Sequence, residues 1–560
     1  MNGLVMLIIA AVFLGGAYLL YGRWLARTWG VDPNKKTPAN EFEDGVDYVP
    51  TTPGVVFGHE FASIAGAGPI NGPIIAAMFG WLPVLIWVLL GGVFFGAVQD
   101  FAALYASVKN KGKTIGYIIE TYIGRTGKRL FLIFVWLFSI LVVAAFADIV
   151  AGTFGGFDAQ GAQVPANASV ATTSILFIAA AVILGYFIKQ RKPKGVVSGI
   201  VAVILLALCI VLGLRFPLYG AKNLWLYFVF AYIFIASITP VWALLQPRDY
   251  LNSFLLVVMI GGAFIGVVFS APVITIPAFT GFTVNGNTLF PVLFVTVACG
   301  AVSGFHALVA SGTASKQIDN ERHMLPISFG AMLVESFLAV ISIIAVGSLA
   351  VGGKLPAGTP PVIFATAVSG FLLHLGLPKD AVYTIITLAV SAFALTSLDS
   401  VARVGRLAFQ ELFTEEMEPG TKPSRVMQVL SNKYVATILT LFFGYLLAIL
   451  GYQNIWPLFG SANQLLAALS LIACAVFLKK TKRQGAMLYL PMGCMLLITL
   501  SALVLTIQSK GGKLFTGTFS IAADGLQLIF AILLFALGIL VAVSGVIKLS
   551  EKEEPKLARS

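Results

Sequence analysis

Charge is scarce in this chain. Aspartate, glutamate, lysine and arginine make up 11% of the 560 residues, against 58% hydrophobic ones. That balance excludes an ordinary water-soluble globular protein. Cysteine is nearly absent as well. Cys209, Cys299, Cys474 and Cys494 each sit alone in an apolar run, without Cys-x-x-Cys spacing. They read as packed interior residues, and neither a disulfide nor a metal centre follows from them. Long polar stretches are missing too. The longest are residues 23–53, residues 402–434 and the tail, too short for a separate enzyme domain or a nucleic-acid reader. His59-Glu60 is not a zinc-protease helix, because Ser63 stands where the second histidine would fall. The net charge of +12 reads as basic loops that set membrane topology, not as a nucleic-acid surface.

What the chain does have is a series of continuous apolar runs near the length of a membrane helix. Continuous runs, not alternating ones, make the fold all-α and polytopic. The sequence predicts about 15 spans of roughly 20 residues each. They fall near residues 3–22, 54–79, 81–107, 130–152, 172–188, 195–214, 224–246, 252–271, 289–311, 326–351, 381–401, 435–452, 456–478, 486–507 and 524–547. The first run has no basic region ahead of it and reads as a retained span, not a cleaved signal. With the N-terminus outside and the C-terminus inside, only Arg215, Lys222, Lys354, Lys379, Lys510 and Lys513 of the 36 basic residues lie outside. That asymmetry supports both the count and the orientation. Residues 356–375 could form a re-entrant or surface helix on the outer side.

The stretch from Pro53 to Pro83 stands out. It is apolar, yet Gly66-Ala67-Gly68-Pro69 breaks it at mid-span, and it carries His59, Glu60, Ser63 and Asn71. Such a break is tolerated where the freed backbone lines a cavity or holds a ligand. The half after the break begins with free N–H groups and the positive end of its dipole. Pro69 suits a first helical turn. Gly66, Ala67, Gly68, Pro69 and Asn71 are therefore candidates to cradle a carboxylate. A second proline, in Ser237-Ile238-Thr239-Pro240-Val241-Trp242, stands within the span at 224–250. It is either an ordinary kink or a matching break of opposite direction, and the second reading places Thr239, Pro240 and Trp242 across the same cavity. Two breaks five spans apart suggest inverted repeats of five helices each. The resulting division is an extra helix and linker at 1–50, a ten-helix core at 51–412 (repeats 51–220 and 221–412), and a loop with four C-terminal helices at 413–560.

Ionisable residues inside spans are functional candidates. His59 and Glu60 are neighbours on a helix, so they point about 100° apart and cannot face one spot. Both are candidates for ion coupling, with Ser63, Ser303, His306 and Thr313; a structural hydrogen bond to a neighbouring helix is the alternative for His59 and Glu60. Asp100, Asp148, Glu335 and Asp399 also lie in spans or at their ends, Asp148 and Asp399 where structural bonding is expected. Asn463 and Gln464 read as interhelical glue. His323 and His374 read as loop or interface residues.

Several motifs together resemble the carbon starvation protein A family of bacterial transporters. They are Phe57-Gly58-His59, Ile64-Ala65-Gly66-Ala67-Gly68-Pro69, Gly96-Ala97-Val98-Gln99-Asp100-Phe101, Pro247-Arg248-Asp249-Tyr250, Gly304-Phe305-His306, Ser311-Gly312-Thr313, Lys316-Gln317 and Trp456-Pro457-Leu458-Phe459-Gly460. They run from about residue 50 to 470. The resemblance implies uptake of peptides during starvation or of pyruvate with protons, and a LeuT-like core of five plus five inverted helices shared with the amino acid–polyamine–organocation superfamily. Family members often carry a second histidine after the one matching His59; this chain has Glu60 there.

The expected function is secondary transport of a carboxylate-bearing nutrient across the bacterial plasma membrane, coupled to protons or sodium. No other cofactor and no nucleic-acid partner is expected; the partners are the small-molecule substrate and membrane lipid. A peptide ammonium could use Glu60 or the carbonyls of residues 62–65, which tilts the reading toward short peptides. The alternatives are a transporter-like nutrient sensor acting through a partner and an intramembrane enzyme. The enzyme is disfavoured by the lack of a recognisable nucleophile or metal set.

Overall fold

The computed structural model describes residues 1–45, 47–158, 160–191, 195–240, 244–414 and 424–551. Among these, eleven helices are long and apolar enough to cross a membrane, and one bent pair would make a twelfth. The chain opens with α1 (Gly3–Thr28). The bent pair is α2 (Pro53–Ile64) and α3 (Gly68–Phe79), meeting at 45°. Then come α4 (Trp81–Lys109), a short α5 (Ile115–Tyr122) and α6 (Arg125–Phe154). A hairpin of α7 (Pro165–Arg191) and α8 (Gly195–Arg215) precedes α9 (Lys222–Ile238) and α10 (Leu245–Ser270). Past a two-stranded turn at Thr283–Val284 and Asn287–Thr288 lie α11 (Leu289–Thr296) and α12 (Gly304–Gly312). The rest are α13 (Glu321–Leu349), α14 (Pro360–Leu373), α15 (Lys379–Thr414), α16 (Lys433–Ala448), α17 (Tyr452–Lys480), α18 (Ala486–Phe515) and α19 (Ala523–Ser550).

Burial sorts these helices. The most apolar stretch of α17 is wholly buried, whereas most of that stretch in α1 and in the helix at Val197–Arg215 is not. With no hydrophobic force between helices in lipid, close packing and polar contacts must hold the centre. There α17 lies against α4, α6 and α12, while α6 packs along α15.

Two expectations are corrected here. Pro240 does not interrupt a span. Helix α9 has 17 residues and ends at Ile238 before it, and the 26 residues of α10 begin afresh at Leu245. Proline lacks the N–H that would continue the ladder, so Thr239-Pro240 is a turn between two helices. The second interruption lies instead in the stretch 289–311, expected to be one straight span. Residues 297–303 leave the helix there, separating α11 from α12.

Backbone freed by that second interruption is satisfied from α17. Trp456 Nε1 donates to Thr296 O at 3.2 Å and Gln464 Nε2 to Phe294 O at 2.6 Å, covering the end of α11. Asn463 Oδ1 accepts from Phe305 N at 3.2 Å, covering the start of α12, and its amide Nδ2 donates to Ser303 Oγ at 3.1 Å. The expected interhelical glue is thus aimed at one break. Replacing Asn463 by alanine orphans a buried N–H, which costs about 1–3 kcal/mol. Thermal unfolding in detergent is expected to show a lower midpoint for Asn463→Ala. Asn454→Ala, which removes an exposed amide bonded to Leu450 O in the turn just before α17, is expected to leave it unmoved.

Candidate substrate and coupling site

The two interruptions lie against each other. A Cβ on Gly68 would fall on the Cβ and Sγ of Cys299, and one on Gly72 would lie 2.7 Å from Thr296 O. Only glycine allows the backbones to approach this closely. Beside the contact is a narrow cavity of about 10 Å³. Phe138, Phe146, Phe305 and Phe459 supply aromatic walls, and Gly66, Cys299, Ser397 and Asn463 supply the small and polar part. Trp456 packs on Phe459 at 5.0 Å between ring centroids and stacks on Phe146 at 6.4 Å.

Of the expected substrate residues, Gly66 lines the cavity, and Ala67, Gly68 and Pro69 are buried at the break. Ala67 O accepts from Ile70 N and Asn71 N to start α3. Asn71 is fully buried, and neither its amide nitrogen nor its oxygen has a hydrogen-bond partner among the described residues. Thr239 and Pro240 are not among the cavity lining. Thr239 Oγ1 bonds back to Ile235 O, Thr239 O accepts from Arg403 at 2.6 Å, and Pro240 is exposed. Trp242 lies outside the described residues.

His59 and Glu60 separate as their spacing requires, into two buried clusters. Glu60, 1% exposed, lies within electrostatic reach of Asp100 and His306. It is not among the cavity-lining residues. His306, at the start of α12, stands between two carboxylates: Nδ1 is 2.8 Å from Asp100 Oδ2 of α4 and Nε2 is 3.2 Å from Glu335 Oε2 of α13. Ser303 is buried and bonded to Asn463, and its carbonyl accepts from Gln99 at 2.9 Å. Ser63 Oγ donates to His59 O within its own helix. Thr313 is exposed at the end of α12 and joins neither cluster. It stands seven residues past His306, nearly two helical turns along and just beyond the end of the helix.

The second cluster holds His59, whose Nδ1 is 3.8 Å from Asp249 Oδ2. The fully buried Arg248 of α10 pairs with Asp399 of α15 and donates to Tyr232 OH of α9; Tyr232 OH in turn donates to Asp399 Oδ2 at 2.7 Å. Arg403 Nη2 covers the last carbonyls of α9, Ala236 O and Thr239 O. Sequence reasoning flagged Asp100, Glu335 and Asp399 as intramembrane charges but gave them no common site, and it passed over Arg248. Their rarity in apolar spans was the available signal; the partners come from tertiary packing. Asp148 does form the structural bonds expected of it, accepting from Tyr452 N at 2.9 Å and pairing with Lys222 at 2.6 Å.

Removing one partner of a buried ion pair strands the other, which costs about 3–5 kcal/mol. Arg248→Met alone is therefore expected to lower the unfolding midpoint in detergent strongly. The double variant Arg248→Met with Asp399→Leu is expected to recover most of the loss in the same measurement.

The chain matches the family described as "Carbon starvation protein CstA" over residues 2–355 and 354–502. It is 33% identical to the Escherichia coli (strain K12) protein named Peptide transporter CstA, over 87% of this chain and 78% of that one. It is 30% identical to the Bacillus subtilis (strain 168) protein of the same name, over 100% of this chain and 99% of that one. To the Escherichia coli (strain K12) protein named Pyruvate/proton symporter BtsT it is 32% identical, over 83% of this chain and 76% of that one. These relatives and the apolar helices make it a multi-pass inner-membrane transporter, not an enzyme, and the chain belongs to the carbon starvation protein CstA family.

Proposed function

We propose that this transporter imports short peptides or pyruvate-like small carboxylates with protons as the coupling ion, as a scavenger of nutrients during starvation. The observation that carries the reading is the cavity at the junction of two interrupted helices, with Gly66 in its wall and the N-terminal turn of α3 beginning beside it. Free N–H groups and the dipole of a helix N-terminus favour an anion. Aromatic walls exclude water and strengthen that attraction. The cavity between the four phenylalanines measures about 10 Å³, about the room one water molecule needs, so its walls must part before a ligand enters.

The proposed architecture has 15 spans, counting α2 with α3 and α11 with α12 as single interrupted spans and α9 and α16 as short ones. Ten of them form two inverted sets of five. The first is α2–α3, α4, α6, α9 and α10, with the hairpin α7–α8 inserted; the second is α11–α12, α13, α15, α16 and α17. This shifts the repeats from the boundaries expected at 51–220 and 221–412, because the second interruption lies at 297–303 and not at Pro240. Several correspondences support the pairing. A short helix, α5 or α14, separates the second and third members of each set. A helix of 17 or 16 residues, α9 or α16, turns into the fifth member in each. The fifth members also make matching contacts: α10 packs on α14, α15 and α2, and α17 on α5, α6 and α11. Inverted repeats of this kind place the substrate at the midplane between the interrupted helices.

Proteoliposomes loaded with purified protein test the proposal. Labelled pyruvate and labelled dialanine are offered with a proton gradient or a sodium gradient imposed separately. The proton gradient is expected to drive accumulation of at least one of them, and sodium alone neither. Saturable binding without flux would identify a sensor instead. Gly68→Leu, whose side chain would collide with Cys299, is expected to abolish uptake while the protein still inserts in the membrane; uptake at the normal rate would remove the helix break from the substrate path.

A further inference from the structure

The row Asp100–His306–Glu335 has a property that follows from its geometry alone. Nδ1 of His306 is hydrogen-bonded to Asp100 Oδ2 at 2.8 Å, while Nε2 lies 3.2 Å from Glu335 Oε2 with neither atom in a hydrogen bond among the described residues, and all three side chains are buried to 1% exposure or less. A neutral imidazole has one N–H donor and one lone pair. One contact would then set a lone pair against an ionised oxygen in a low-dielectric interior. The row becomes favourable when it holds one more proton, either as an imidazolium donating to both sides or as a carboxylic acid donating to the ring. An imidazole bridging two carboxylates also fills the place a metal cation would take between them.

A second observation lies beside the row. Glu60 Oε2, on the buried side chain of α2, has no hydrogen-bond partner among the described residues, and neither does Asp100 Oδ1 or either oxygen of Glu335. Three carboxylates and one imidazole cannot all be ionised in so dry a place without large repulsion. The groups within electrostatic reach of one another come from four elements: Glu60 from α2, Asp100 from α4, His306 from α12 and Glu335 from α13. The Cys299 thiol, between α11 and α12, also interacts with Glu335. His306 is the only cationic side chain in ion-pair contact with Asp100 or Glu335 among the described residues.

We propose that Asp100, His306 and Glu335, with Glu60 as the group that receives from them, form the proton-binding site that drives transport. This deepens the proton-coupled reading above and rests on it. A proton from the outer solution adds to the row, forming an N–H or O–H bond and no other. It passes to the open oxygen of Glu60 and leaves to the inner solution when α2 moves, returning the row to its first state. Sodium has no part in this cycle. Glu60 and His306 belong to the two half-helices that meet at the cavity, α2 and α12, so the occupancy of the site and the position of the breaks are mechanically joined.

Infrared difference spectroscopy of the purified wild-type protein without substrate gives a readout independent of the cargo. Raising the pH is expected to bleach a carboxylic-acid C=O band, sodium is expected to leave that band unchanged, and Glu335→Gln and Glu60→Gln are expected to alter it. In proteoliposomes, His306→Gln is expected to lower the ratio of proton-driven accumulation to counterflow of labelled pyruvate or dialanine by about tenfold. A carboxyl band that does not titrate, one displaced by sodium, or a wild-type ratio in both His306→Gln and Glu60→Gln overturns the proposal. Should the wild-type protein move neither probe, the cargo assignment fails while the infrared titration still decides the proton site.

Discussion

Inside a bilayer, every backbone N–H and C=O must find a partner within the protein. This chain leaves its helices twice at membrane depth, and much of its centre follows from repairing the result. At the second break the repair comes from one buried helix, whose Trp456, Asn463 and Gln464 reach carbonyls and an N–H that the interruption releases. The same Asn463 contributes to the cavity wall.

The short half-helix α2 carries the next layer of constraint. Its neighbouring residues His59 and Glu60 point into separate ionic clusters, one centred on Arg248 and Asp399 and the other on His306. Buried pairs of this kind add little net stability, but they are unforgiving of partial disruption. Any displacement of α2 must therefore disturb two sets of charges together. Such an arrangement favours a few discrete positions over continuous drift, as alternating access requires.

The first break was legible in the sequence because Gly66-Ala67-Gly68-Pro69 combines residues that helices avoid. The second was not. Cys299-Gly300-Ala301-Val302-Ser303-Gly304 has no proline, its glycines also read as packing surfaces, and only the docking of α17 shows that the backbone is open there. Pro240 misled for the complementary reason: a proline just past a helix end looks, in sequence, like a proline within one. Among the coupling residues, the angular separation of His59 and Glu60 was fixed by helix geometry and holds. That Glu60 approaches Asp100 and His306 depends on four helices converging, which no local pattern records. Thr313 was joined to His306 by sequence proximity, yet nearly two helical turns carry it to the exposed end of α12. Membership of the family was legible from motifs spread along most of the chain, and so was the membrane-spanning character.

Glu335 stands near the middle of α13, a helix of 29 residues, and the ionisable groups around it are all out of contact with water. A charge held there sits part-way through the voltage drop of an energised membrane. Moving one elementary charge across the full drop is worth about 2.3 kcal/mol per 100 mV. A proton site at this depth would answer to electrical potential as well as to acidity, and voltage would load it even when the two solutions have equal pH.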